Sequence, residues 1–120
     1  MGNTCYPLTH AQRRIWYTEK FYPGTSVSNL SGFGKLKSAS GIESGLLTEA
    51  IRQFVRTNET MLFRLLFDGG DEPKQYIAED EPFRIEYFDA SEIGGADGVP
   101  KWGQAEARRP LPLYESPLFK

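Results

Sequence analysis

Residues 61–67 read Met-Leu-Phe-Arg-Leu-Leu-Phe, and six of these seven side chains are apolar. A run of this length bounded by turn residues is a strand, and an apolar strand without alternation needs cover on both faces. The chain must therefore supply structure on either side of this segment. Arg64, the one charge inside the run, needs a partner or a route to water.

The nearest cover is the segment before it. Leu47, Ile51 and Val55 recur four residues apart with Leu46, Ala50 and Phe54 beside them, and Glu49, Arg52 and Gln53 lie outside that face. This spacing predicts a helix from about Glu43 to Thr57 with a wide apolar face. Glu43 suits the positive end of its dipole. After the strand, Asp68-Gly69-Gly70-Asp71 is a turn, and residues 74–78 return as the second arm of a hairpin.

Elsewhere the pattern is mixed. Residues 1–6 read as a lead-in. Thr9 and Gln12 have the spacing of a capping box, which predicts a helix from His10 to Phe21, ended by Pro23-Gly24. Residues 25–40 are rich in Ser and Gly, with a strand expected over about 32–37 from the alternation of Phe33, Lys35 and Lys37 with Gly34 and Leu36. Residues 83–88 alternate and read as a third strand after the hairpin pair. Gly94–Gly98 reads as a flexible loop. A short helix follows from about Pro100 to Arg108, ended by Pro110, and a final strand closes the chain. Helices interleaved with strands argue for an α/β sandwich rather than a sheet-only fold.

Composition narrows function by exclusion. Net charge is −2 with basic residues scattered, so neither a nucleic-acid footprint nor a polybasic membrane patch is present. No apolar segment is long enough to span a bilayer. One Cys, Cys5, cannot form an internal disulfide, which fits a reducing cytoplasm. One His, His10, at the start of a helix, and one Cys cannot assemble a nucleophilic triad or a His-rich metal site. Glu79-Asp80-Glu81 reads as a solvated acidic loop rather than an acid–base or metal cluster, and Asp68–Asp71 as a turn rather than a calcium site.

Residues 7–16, Pro-Leu-Thr-His-Ala-Gln-Arg-Arg-Ile-Trp, resemble the first core motif of nonribosomal peptide synthetase condensation domains, commonly Ser-x-Ala-Gln-x-Arg-Leu-Trp. Thr9 stands for the Ser, Ala11, Gln12, Arg14 and Trp16 match, and Ile15 stands for the Leu. Ser28-Asn29-Leu30 lies where the family has Tyr-Asn-Ile. Residues 57–65 are similar to its second motif, Arg-His-Glu-x-Leu-Arg-Thr-x-Phe: Glu59 matches, Asn58 replaces the His, and Leu62 stands at the second Arg. The closing Pro110-Leu111-Pro112-Leu113 and Pro117-Leu118-Phe119 resemble its Pro-Phe-Asp-Leu…Pro-Leu-Phe-Arg segment. The three motifs occur in family order from Pro7 to Lys120.

The resemblance implies a partial lobe of the chloramphenicol-acetyltransferase-like two-layer sandwich, a mixed sheet with helices packed on one face. Residues 1–120 would be the N-terminal part of one such domain, cut before its catalytic signature His-His-x-x-x-Asp-Gly, which does not occur in the chain. It implies amide-bond formation between thioesters carried on the phosphopantetheine arms of peptidyl or acyl carrier proteins, with adjacent synthetase domains as further partners and no directly bound cofactor or metal. No residue here is a catalytic candidate. Thr9, Gln12, Arg14 and Trp16 are the first-motif candidates, with Trp16 read as core. Asn58, Glu59 and Arg64 are the second-motif candidates. An arginine of that region is thought in the family to pair with the Asp of the signature. Arg64 either serves this role from two residues on, sharing a strand face with Leu62, or carries its charge to solvent. The alternative to a catalytic parent is a remnant or docking piece. The isolated piece is expected to expose a sheet edge and to be marginally stable.

Overall fold

The computed structural model describes residues 4–120. In chain order the elements are β1 (Cys5–Pro7), α1 (His10–Phe21), α2 (Ser44–Thr57), α3 (Glu59–Leu62), β2 (Phe63–Leu66), β3 (Lys74–Ile77) and α4 (Val99–Ala107), with two short 3₁₀ turns at Ala90–Ile93 and Ala96–Gly98. They fall into two compact units. One comprises the residues up to Thr9, Lys35–Arg84 and Pro112–Lys120. The other comprises His10–Gly34 and Ile85–Leu111.

The first unit is built on an antiparallel sheet of order β1-β3-β2. The β2–β3 hairpin sets Phe63 against Ile77, Arg64 against Tyr76 and Leu66 against Lys74. Its turn is fastened twice. Gly69 takes a φ of 90°, a conformation that favours glycine, and the Asp68 carboxylate accepts from the Gly70 amide at 3.3 Å. Lys74 closes the turn with an ion pair to Asp68 at 2.9 Å. This pairing, more by hydrogen bond than by long-range charge, holds the Asp68 carboxyl below its ordinary range and Lys74 above its own.

α2 follows the expected helix, with Glu43 just outside it as the N-cap. The Glu43 carboxylate accepts from the amides of Gly45 at 3.0 Å and Leu46 at 3.1 Å, so two of the four orphan donors are satisfied by one side chain. Only Val55 of the apolar face is buried. Leu46, Leu47, Ile51 and Phe54 are exposed. Leu8, Val55, Leu62, Leu65, Tyr76 and Ala78 form the core of this unit.

Several expected strands are absent or shortened. Met61 and Leu62 complete the helical turn α3, because the Asn58 carbonyl accepts from the Met61 amide at 2.9 Å, so the strand begins only at Phe63. Residues 32–37 and 83–88 are not strands. A strand is held by its neighbour's backbone, and no described residues pair with either segment. Residues 32–37 are exposed throughout. Phe83 is instead pinned by side chains: its ring meets Phe119 edge-on at 5.7 Å, and the Arg52 guanidinium lies 5.7 Å from its centroid. The final strand reduces to one parallel bridge, Leu65 to Tyr114, where the Glu115 amide donates to the Leu65 carbonyl at 2.7 Å. That bridge blunts the outer edge of β2, and it is the point where the sheet becomes mixed. Conversely, β1 arises within the lead-in. Three residues carry no alternation to read; they pair because β3 offers an edge, and Gln75 adds a side-chain bond to the Pro7 carbonyl at 3.0 Å.

The second unit contains α1 and α4. α1 spans the expected residues and ends before Gly24, whose φ is 70°. The stretch 94–98, expected as a plain loop, includes the second 3₁₀ turn. Asp89 caps the first, accepting from the Ser91 amide at 2.9 Å and hydroxyl at 2.7 Å, which holds its carboxyl below the usual range. α4 begins one residue earlier than expected, with Pro100 in its first turn. The rings of Phe88 and Trp102 meet at 4.9 Å.

Candidate functional site

The second-motif residues sit at the corner between α2 and the sheet. Asn58 ends α2 and precedes α3. Its side-chain amide donates to the Phe54 carbonyl at 2.6 Å, and its backbone amide donates to Val55 at 3.3 Å. Asn58 is thus consumed in closing a helix end, a service an amide performs well. Glu59 is exposed in the first turn of α3.

Arg64 is the distinctive residue. It is fully buried, on the middle of β2. It does not carry its charge to solvent. Nη1 donates to the carbonyls of Met61 at 3.2 Å and Phe63 at 3.1 Å. Leu62, which ends α3, is not on the same strand face, because the strand starts after it. Nε faces the Glu81 carboxylate at 3.8 Å, beyond hydrogen-bond length, and both Nε and Nη2 are buried without a hydrogen-bond partner.

Residues 79–81 are exposed, as read from the sequence, and Glu81 also has partners within the first unit. Besides facing Arg64, it accepts from the Tyr76 hydroxyl at 3.0 Å. Burial, then this carboxylate, push the Tyr76 hydroxyl up to about 12. The sequence does not pair Glu81 with Tyr76 or Arg64, because their meeting depends on the path of the chain after β3. Among the described residues, no group of three or more His, Cys, Asp or Glu converges to hold a metal.

Of the first-motif residues, Thr9 immediately precedes α1 and closes a segment of the first unit. Gln12, Arg14 and Trp16 lie on α1 in the second. Trp16 is buried, as read from the sequence, with Tyr17 against it at 5.0 Å and the Lys20 ammonium 5.2 Å from its ring centroid. Gln12 and Trp16, four apart, share a helix face, and Arg14 is exposed. His10 is exposed at the start of α1, and Cys5 is exposed on β1.

The site thus centres on a buried cation, Arg64, on β2, with the Tyr76–Glu81 pair beside it. The starter condensation domain of rhizomide synthetase RzmA has the same fold: 96% of this chain matches 28% of that one with a TM-score of 0.66 at 21% identity. The architecture is therefore part of the chloramphenicol-acetyltransferase-like sandwich.

The family model of the condensation domain matches residues 3–120, and the chain belongs to that family. It is 50% identical over its whole length to surfactin synthase subunit 1 of Bacillus subtilis (strain 168), and 34% identical to one of the plipastatin synthase subunits of the same organism. The chain spans 3% and 5% of the length of these two relatives.

Proposed function

We propose that this chain is the N-terminal part of a condensation domain that joins carrier-bound thioesters by an amide bond in nonribosomal peptide synthesis. The observation that carries this reading is the family match across residues 3–120 together with 50% identity to a synthetase over the whole chain. In the reaction, the amine of an acceptor aminoacyl thioester attacks the donor thioester carbon. A C–N bond forms, the C–S bond breaks, and the proton lost by nitrogen ends on the departing thiol. The phosphopantetheine arms belong to the carrier proteins and enter as substrate. Proton transfer or stabilisation of the tetrahedral intermediate falls to the His-His-x-x-x-Asp-Gly signature. These 120 residues hold no copy of it, so they supply scaffold and not the catalytic base.

Within that scaffold, Arg64 is the residue we assign to the reaction chamber. A buried guanidinium with N–H groups left unpaired needs an acceptor, and the Asp of the signature, meeting Nη2, is one of suitable charge. Thr9, Gln12, Arg14 and Trp16 set the first helix, and Asn58 and Glu59 set the corner that aims β2. The partners are carrier proteins and neighbouring synthetase domains, and the compartment is the cytoplasm.

The test uses the natural polypeptide that contains this chain. Its carrier domains are loaded with acyl and aminoacyl thioesters, and the product is read by intact-protein mass spectrometry. Transfer of the acyl group onto the acceptor amine is the expected result, lost when the second His of the signature is replaced by Ala. Carrier binding without transfer would overturn the reading in favour of a non-catalytic docking piece.

A further inference from the structure

We infer that Glu81 is the positioning residue of Arg64, with the Tyr76 hydroxyl setting the carboxylate. The inference rests on the proposed placing of Arg64 toward the reaction chamber and deepens it. Arg64 and Tyr76 are direct partners in the antiparallel register, so both side chains leave the same face of the sheet. Glu81 follows β3 and lies over that face. One of its oxygens accepts from Tyr76 at 3.0 Å, and the other is 3.8 Å from Arg64 Nε.

The guanidinium explains why this arrangement orients. Nη1 is spent on the carbonyls of Met61 and Phe63. The two buried nitrogens without a partner, Nε and Nη2, carry the parallel N–H bonds of one edge, the edge that takes a carboxylate. Glu81 is the carboxylate of this chain that faces it. Backbone bonds hold one side of the guanidinium plane, and the charge of the part-exposed Glu81 carboxylate, 3.8 Å from Nε, attracts the other. Nη2 carries a second N–H, which that plane offers to an acceptor from elsewhere in the domain. Glu81 itself touches no substrate; it acts through Arg64.

The experiment uses the natural polypeptide containing this chain in five forms: unchanged, Arg64→Met, Glu81→Gln, the double variant of these two, and Tyr76→Phe. Each is read for thermal midpoint and for single-turnover rate of amide formation between carrier-bound thioesters. Each single charge variant is expected to lose roughly tenfold in rate or more, with the double variant no slower than the slower single. Tyr76→Phe keeps both charges and loses roughly two- to fivefold, which reports on orientation even if Glu81→Gln fails to fold. Glu81→Gln or Tyr76→Phe at the unchanged rate overturns the inference, as do losses that multiply in the double variant. If the unchanged polypeptide forms no amide, the proposed function fails. The midpoints then decide the pairing: non-additive shifts uphold it, and additive shifts overturn it.

Discussion

The side-chain amide of Asn29 donates to the Arg109 carbonyl at 2.8 Å and to the Ala107 carbonyl at 3.3 Å. Ala107 is the last residue of α4, so its carbonyl is one that a helix end leaves without an internal partner, and Arg109 lies just past the C-cap. One planar amide ties the 25–34 stretch to the end of a helix nearly eighty residues later. Asn29→Ala should therefore cost about 1–2 kcal/mol. Asn29→Asp should cost more, because an acceptor then faces two acceptors. Urea unfolding midpoints of the three proteins test this, and an Asp variant as stable as the original would rule the bond out as a contributor.

Glu43 and Gly45 are coupled. A Cβ on Gly45 would lie 2.6 Å from Glu43 Oε1, the far end of the capping side chain. Gly45→Ala should gain about 1 kcal/mol of helix propensity and lose about as much from the displaced cap, for little net change. Glu43→Ala alone should cost about 1 kcal/mol. With the cap already gone, Gly45→Ala should stabilise by about 1 kcal/mol. A double-mutant cycle on thermal midpoints reads the coupling, and simple additivity would contradict it.

The sequence pattern located what depends on neighbours along the chain. α1, α2, the hairpin and α4 were legible because helical periodicity, caps and turn glycines act locally. Residues 32–37 and 83–88 have the alternation of strands, yet alternation supplies only a surface; the partner backbone must come from elsewhere. β1 shows the converse, three residues made a strand by β3. The site divides in the same way. Arg64 stood out as a lone charge in an apolar run. Glu81 and Tyr76 did not, since the register that sets Tyr76 opposite Arg64 and the turn that returns Glu81 are tertiary facts.

The α2 face offers a contrast within two residues. Val55 is almost wholly buried, whereas Phe54 is more than half exposed. Val55→Ala should destabilise by about 2 kcal/mol through lost transfer energy and a residual cavity. Phe54→Ser should change stability by less than about 0.5 kcal/mol in this chain while raising its soluble yield, because it removes exposed apolar surface. Chemical denaturation and the soluble fraction after centrifugation check both. A Phe54 variant as destabilised as the Val55 variant would mean that this face is packed.

Tyr76 gives the chain a limit at alkaline pH. Its ordinary value is 10.0, and in the folded chain it is pushed up to about 12, first by burial and then by the hydrogen bond and charge of Glu81. Between these values the unfolded chain releases the phenolic proton and the folded chain keeps it, so the unfolded state binds fewer protons and stability falls with rising pH. Below about pH 10 this contribution is present in full. It is lost as pH climbs toward about 12, and the whole change is on the order of 2–3 kcal/mol. Urea midpoints at about pH 9 and about pH 11.5 should show the fall, and Tyr76→Phe, which has no proton to release, should flatten it. Phenolate absorbance near 295 nm, from about pH 9 upward, should show one tyrosine of the folded chain titrating late. A slope unchanged by Tyr76→Phe would assign the alkaline loss to another group.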